Sequence, residues 1–450
     1  MVYKLLLLFC LYLPFQIALN PSEGIDLASV RVIIPILALL WIISGLKNRR
    51  IFIPAKIQTV LIIFFLFIAG LSLFWADNQD WGFRKLLFLL SIFPVYFVVT
   101  SIIQCHSRES GNPEINGVDS GSGAGMTYLN VKIIKFLVWG AGVTSVIGII
   151  QFLLQFMIGL DNTAAIWRNY VTPLFLGKSF THAVLEYPSW LVNVSGKDFL
   201  RAFSTFPDPH MLSFYLGLSL PLAIGLYYAF KKNIYLFFSL IILIANLLTF
   251  SRGGYIGLAA GLIFIVLYFA VNKKISAKKL LASLVLTLIV LASLALTPIG
   301  KRAITSFSTV EGSNKVRFEN WNQAVKVIKN NPLGVGIGNY SYEIEPSAPY
   351  RKPIYAHNLY LDIAAETGII NAIIFILLVV FSIKDFVKKS KDNILYLGSA
   401  AGLVIFSIHS VFDTALYSVQ VLPLLLVIIA LSASNNSGNT ILRPRHSVTG

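Results

Sequence analysis

Apolar runs of roughly 17–25 residues recur from one end of this 450-residue chain to the other, each long enough to cross a bilayer as a helix. That recurrence removes most of fold space at once. Inside lipid a backbone must satisfy its own hydrogen bonds, so such runs span as helices and not as an open sheet. Only 12% of the residues are charged and 56% are hydrophobic, where an ordinary soluble domain carries about 25% charge. Mean hydropathy is +0.75. The sequence reads as an all-α polytopic membrane protein, a single integral membrane domain over residues 1–450.

Length and flanking polarity predict about 12 transmembrane helices. They run from Tyr3 to Leu19, Leu27 to Gly45, Ile57 to Trp75, Leu86 to Gln104, Val131 to Ile158 and Met211 to Phe230. The rest run from Ile234 to Phe250, Tyr255 to Val271, Leu280 to Leu296, His357 to Ile383, Ile394 to Phe412 and Ala415 to Leu431. Lys4 ahead of Leu5 to Leu8 imitates a signal peptide, but no small-x-small site precedes Asn20-Pro21, so this run is read as a retained span. Cys10 and Cys105 offer neither a disulfide framework nor a metal-ligand spacing.

Lysine and arginine number 36 against 20 acidic residues, a formal charge of +16. No basic stripe with interleaved aromatics occurs, so nucleic acid is not an expected partner. Much of the excess sits instead in short alternate loops: Lys47, Arg49, Arg50 and Lys56; Lys231 and Lys232; Lys273 to Lys279; Lys384 to Lys391. These loops are predicted to be cytoplasmic, together with both termini. The opposite face takes Asp77 and Asp80, the stretch from Gly159 to Arg201, Ser251 to Gly254, and a large periplasmic loop over residues 298–356. Two segments carry no apolar period. Residues 106–125, rich in Gly and Ser, are expected to form a disordered cytoplasmic insertion without a role. Residues 432–450 are expected to be a disordered tail.

The large loop has features of its own. Phe318, Trp321, Val325 and Ile328 recur at three- and four-residue steps, predicting an amphipathic helix that Asn331-Pro332 stops. Gly334-Val335-Gly336-Ile337-Gly338-Asn339 then predicts a tight turn, with the wrong spacing for a dinucleotide fingerprint. On the same predicted face lie Arg252, Arg317 and His357. A guanidinium is always charged and forks onto phosphate oxygens, and Gly253 and Gly254 let backbone approach a bulky ligand. The plainer reading of Arg252 is an interfacial side chain reaching lipid phosphates, and that of Arg317 a solvated face with a cation–π contact to Trp321. Arg201, ahead of the sixth span, is either a phosphate clamp or a helix anchor. Imidazole accepts a proton near neutral pH, so His357 is the candidate base. Asn358, Asp362 and Glu366 follow it at four-residue steps, and His409 and Asp413 repeat that spacing. Either set forms a proton relay or a buried hydrogen-bonded network holding helices together. Asp-x-Asp and P-loop motifs are lacking, so neither a divalent-metal nucleotide-sugar site nor an ATP-driven pump is indicated.

Ser251-Arg252-Gly253-Gly254, then Arg317 with Trp321, Pro332-Leu333-Gly334-Val335-Gly336, and His357-Asn358 with Glu366-Thr367-Gly368 together resemble the O-antigen ligase and polymerase superfamily. The resemblance implies a fold like that of membrane glycosyltransferases that use polyprenyl-linked sugars, the glycosyltransferase-C architecture. It implies transfer of a glycan from undecaprenyl pyrophosphate to an acceptor hydroxyl, on a glycan or a lipid anchor, with no cofactor or metal. Its setting would be the periplasmic face of a bacterial inner membrane, in lipopolysaccharide or surface polysaccharide synthesis. Carried onto this chain, Arg252, Arg317 and Arg201 bind the pyrophosphate and His357 is catalytic, with Asn358, Glu366 and Trp321 in support. The chain departs from the family around Arg201, where glycine is usual in place of Ser204 and asparagine in place of His210. Ligase and polymerase remain alternatives, and a secondary transporter is the rival from another class.

Overall fold

The structure, a computed structural model, describes residues 2–22, 25–47, 53–109, 128–185, 188–194, 196–272, 312–347, 349–350 and 353–434. Seven of its helical segments are long and apolar enough to cross a membrane: Val30–Lys47, Ile57–Trp75, Gln79–Gln104, Leu129–Ile158, Pro209–Phe230, Arg252–Val271 and Ile369–Lys389. Shorter apolar helices cover Val2–Phe15, Asn233–Leu248, Ile394–His409 and Val421–Ala433. Together these fall on every predicted span except Leu280 to Leu296, which lies outside the described residues. The protein is an all-α polytopic membrane protein.

The first third of the chain supplies α1 (Val2–Tyr12), α2 (Val30–Lys47), α3 (Ile57–Leu71), α4 (Gln79–Ile92), α5 (Pro94–Glu109) and α6 (Tyr128–Ile158). Pro94 sits at the start of α5, where its missing N–H costs no helical bond. α5 continues to Glu109, so the predicted 106–125 insertion opens as helix; residues 110–125 lie outside the described residues. Short helices α7 (Leu160–Ile166), α8 (Thr172–Leu176) and α9 (Lys178–Leu185) lead to α10 (Pro209–Phe230), α11 (Asn233–Leu248) and α12 (Arg252–Val271). Beyond them come α13 (Gly312–Asn330), α14 (Tyr340–Ile344), α15 (Leu359–Thr367), α16 (Ile369–Lys389), α17 (Ile394–His409) and α18 (Val421–Ala433). Two small antiparallel hairpins interrupt the helical pattern, β1 (Ala18–Ser22) with β2 (Ile25–Ala28) and β3 (Leu191–Val194) with β4 (Lys197–Leu200).

A helix apolar on every side belongs either in a protein interior or in lipid. α18 takes the first solution, with every residue from Val421 to Ala433 buried. It packs on α5, α10 and α16 and runs past the predicted start of the tail at Ser432, where Lys389 Nζ donates to the Ser432 carbonyl at 2.7 Å. α2 takes the second, leaving Ile36, Leu39, Ile43 and Leu46 exposed. α10, α11, α12 and α17 pack closely around the interior.

The predicted tenth span is not one helix. It breaks at Gly368, which has φ +94°, leaving the nine-residue α15 and the spanning α16. The glycine turn after α13 docks on this break, with Val335 N donating to Ala365 O at 2.9 Å and Ile369 N to Pro332 O at 3.2 Å. A Cβ on Gly334 would stand 2.5 Å from the Glu366 carbonyl oxygen, so backbone meets backbone there. The amphipathic helix is present as α13, but its buried stripe is turned from the expected one. Ala324 and Val327 are buried, whereas Phe318 and Val325 are exposed.

Candidate active site

The N-termini of α10, α12 and α15 meet at one end of the bundle. Each is fixed by its own cap. The Asp208 side chain accepts from His210 N at 2.7 Å and Met211 N at 2.9 Å, opening α10. Ser251 Oγ accepts from Gly254 N at 3.3 Å, opening α12. Asn358 Oδ1 accepts from Tyr360 N at 3.1 Å and Leu361 N at 3.2 Å, opening α15. The caps occupy these N–H groups, at α10 with the Asp208 carboxylate, and the positive ends of the three helix dipoles meet at one place, which favours negative charge there.

His357 stands just before the α15 cap with φ +52°, a left-handed backbone that costs a non-glycine residue about 1–2 kcal/mol. Its neighbours hold it there. Ala356 N donates to Asp362 Oδ1 at 2.8 Å, and Thr414 Oγ1 donates to the other oxygen of that carboxylate. The imidazole is half-exposed and its Nδ1 lies 3.4 Å from Asp413 Oδ1. The second oxygen of Asp413 lies 3.3 Å from His210 Nδ1. Partial burial opposes a charge on His357, but the hydrogen bond and charge of Asp413 outweigh it and raise its pKa above the ordinary value. Burial alone would raise Asp413. The nearby His210, the hydrogen bond from His357 and the charge of Arg317 reverse this and hold the carboxyl well below the usual range.

Of the predicted arginines, Arg317 on α13 is half-buried and acts electrostatically on both His357 and Asp413. Arg252 is buried as the first residue of α12, one residue from the Ser251 cap that meets the histidines. Arg201 is buried too, and its guanidinium is already engaged. Nε donates to Thr249 O at 2.7 Å and Nη1 to Ser189 O at 2.8 Å, with His210 Nε2 3.4 Å away. The β3–β4 hairpin delivers it, as Leu200 packs with Trp167, Trp190 and Phe203. Ser204 has φ +54°, a conformation a glycine adopts without cost.

The supporting residues divide. Trp321 packs near Phe412, ring centroids 6.4 Å apart, and so ties α13 to the loop carrying Asp413. Asn358 caps α15. Glu366 belongs to a second charged cluster, where Lys85 Nζ lies 2.6 Å from Oε1 and Tyr417 OH donates to Oε2 at 2.7 Å. The expected face of Asn358, Asp362 and Glu366 on one long helix is therefore three separate local tasks on a short one. His409 and Asp413 also part company. α17 ends at His409, which stacks on Phe214 with centroids 3.6 Å apart, while Asp413 lies beyond the helix.

Sequence reasoning missed His210 and Lys85 and left Asp413 open between a proton relay and a buried network. The signal for Asp413 was its spacing from His409, and for His210 its departure from asparagine. Lys85 gave none, since it reads as the flank of an apolar run. Residues 237–376 match the family model described as O-antigen ligase. That segment holds Arg252, Arg317, the glycine turn and His357, and leaves Arg201, His210 and Asp413 outside. No curated protein matches the chain.

Proposed function

We propose, from the match of residues 237–376 to the O-antigen ligase family model, that the chain transfers a glycan from undecaprenyl pyrophosphate to an acceptor hydroxyl at the periplasmic face of a bacterial inner membrane. One observation carries this reading: three helix N-termini and the charge of Arg317 converge where Asp413 holds the imidazole of His357. An anion and a base are thus served at one place.

In the proposed step His357 Nε2 takes the proton of the acceptor hydroxyl as its oxygen bonds to the anomeric carbon. The bond from that carbon to the pyrophosphate oxygen breaks, and the oxygen leaves with the electron pair. Pyrophosphate is a competent leaving group, so its departure calls for charge stabilisation and not a strong acid. Arg317, Arg252 and the helix N-termini supply it. Arg201, with two donors on backbone carbonyls, contributes charge and shape more than a free fork. Displacement in a single step inverts the anomeric centre. No metal or cofactor enters this scheme.

The test is product analysis with purified protein in lipid, given an undecaprenyl-pyrophosphate glycan with and without a lipid-anchored acceptor. A ladder on the carrier alone identifies a polymerase, and product only with the acceptor identifies a ligase. His357→Ala is expected to lower turnover by about 10²–10⁴-fold. Wild-type turnover by that variant removes the histidine from the mechanism, and no product from folded wild-type protein with suitable donors returns the transporter reading.

A further inference from the structure

His210 stands in the middle of a chain of four side chains whose hydrogens the geometry assigns. An arginine only donates hydrogen bonds, so His210 Nε2, 3.4 Å from Arg201 Nη1 and 3.5 Å from Nη2, presents its lone pair. The hydrogen of a neutral ring is then on Nδ1. That nitrogen faces two acceptors, Asp413 Oδ2 at 3.3 Å and Ser251 Oγ at 3.3 Å. A carboxylate only accepts, so His357 Nδ1 also donates to Asp413. The Nε2 of a neutral His357 is left as the proton acceptor.

We infer that His210 is a positioning residue, which links Arg201 to Asp413 as the Nδ1–H tautomer and through Asp413 orients His357 with Nε2 as the base. The inference rests on the glycosyl-transfer reading and deepens it. Phosphate charge near Arg201 would be felt at the base through the His210 and Asp413 bonds. Further titratable groups around this chain are Asp208 at the α10 cap, Arg317 on α13, Asp362 on α15 beside His357, and His409 on α17, whose Nε2 lies 3.2 Å from Ser251 Oγ. A merely packed histidine would need no particular tautomer. Here both of its nitrogens are committed, one to a donor and one to acceptors.

Two measurements test it. In ¹⁵N-histidine-labelled protein in lipid nanodiscs without substrate, His210 is expected to show a protonated Nδ1 and an unprotonated Nε2. The reverse tautomer overturns the proposal. In the transfer assay, His210→Ala removes one donor from Asp413, which then binds the His357 proton more tightly. The acid limb of kcat is expected to move up by about half a pH unit to one unit. His210→Asn, whose amide offers an NH₂ donor group and an acceptor oxygen, is expected to restore the limb toward the wild-type position. An unmoved limb in the alanine variant, or an asparagine variant no different from alanine, overturns the coupling. If alanine prevents folding, the asparagine variant and the tautomer measurement decide. Absence of transfer by wild-type protein defeats the glycosyl-transfer reading, and the tautomer result is read independently of it.

Discussion

Asp413 divides its two oxygens between His357 and His210, so a single carboxylate governs two imidazoles. Its removal has a sign that can be worked out. The His357 pKa is raised, so its coupling to Asp413 stabilises the fold fully below the ordinary histidine value and is lost as pH rises through the raised one. The Asp413 pKa is depressed, so the same coupling is present above the ordinary carboxylate value and is lost as pH falls through the depressed one. The window between, near-neutral and mildly acidic, is where the pair holds. Asp413→Asn is expected to move the acid limb of kcat/KM to lower pH while reducing its plateau, checked by pH–rate profiles of the two proteins. At this scale the sequence showed residue types more readily than partners. His357 and Arg317 were legible because an imidazole and a guanidinium on an apolar chain carry evident chemistry. The partner of His357 lies 56 residues away and that of Lys85 lies 281 residues away, distances no local spacing encodes.

Between elements, the tightest joint is the glycine turn on the break between α15 and α16. Gly334 has φ +82° and Gly368 φ +94°, and both face backbone within 3 Å of where a Cβ would stand. Gly334→Ala is expected to cost about 1–3 kcal/mol, read as a lower melting temperature in lipid or detergent. The Lys85–Glu366 pair fastens α4 to the end of α15, with both side chains less than a tenth exposed. Lys85→Met leaves a buried carboxylate without its countercharge and is expected to destabilise by about 3–5 kcal/mol. Adding Glu366→Leu should recover part of that loss, which paired melts would show. The turn was readable from its glycines and α13 from its period. The break was not, because Glu366-Thr367-Gly368 lies within a run that hydropathy alone joins. Nor was the true face of α13 legible, since Phe318 and Ala324 exchange places only when packing against α15 is known.

Across the whole molecule, hydropathy located the spans well because lipid imposes the same length on each of them. It could not rank them by depth: α2 and α18 are both apolar runs, yet one leaves much of its surface exposed and the other is buried from end to end. The Gly/Ser-rich stretch within 106–125 has no apolar period. Excision of residues 112–123 is expected to leave melting temperature and turnover unchanged, and loss of either would give that stretch a role. The central position of α18 also bears on how the protein is made. Synthesis runs from the N-terminus, so the helix that fills the middle leaves the ribosome after every other described helix. Until Val421 to Ala433 arrive, the inner faces of α5, α10 and α16 have only lipid or one another to meet. The bundle is thus assembled around an empty seat, which the last of the described helices fills.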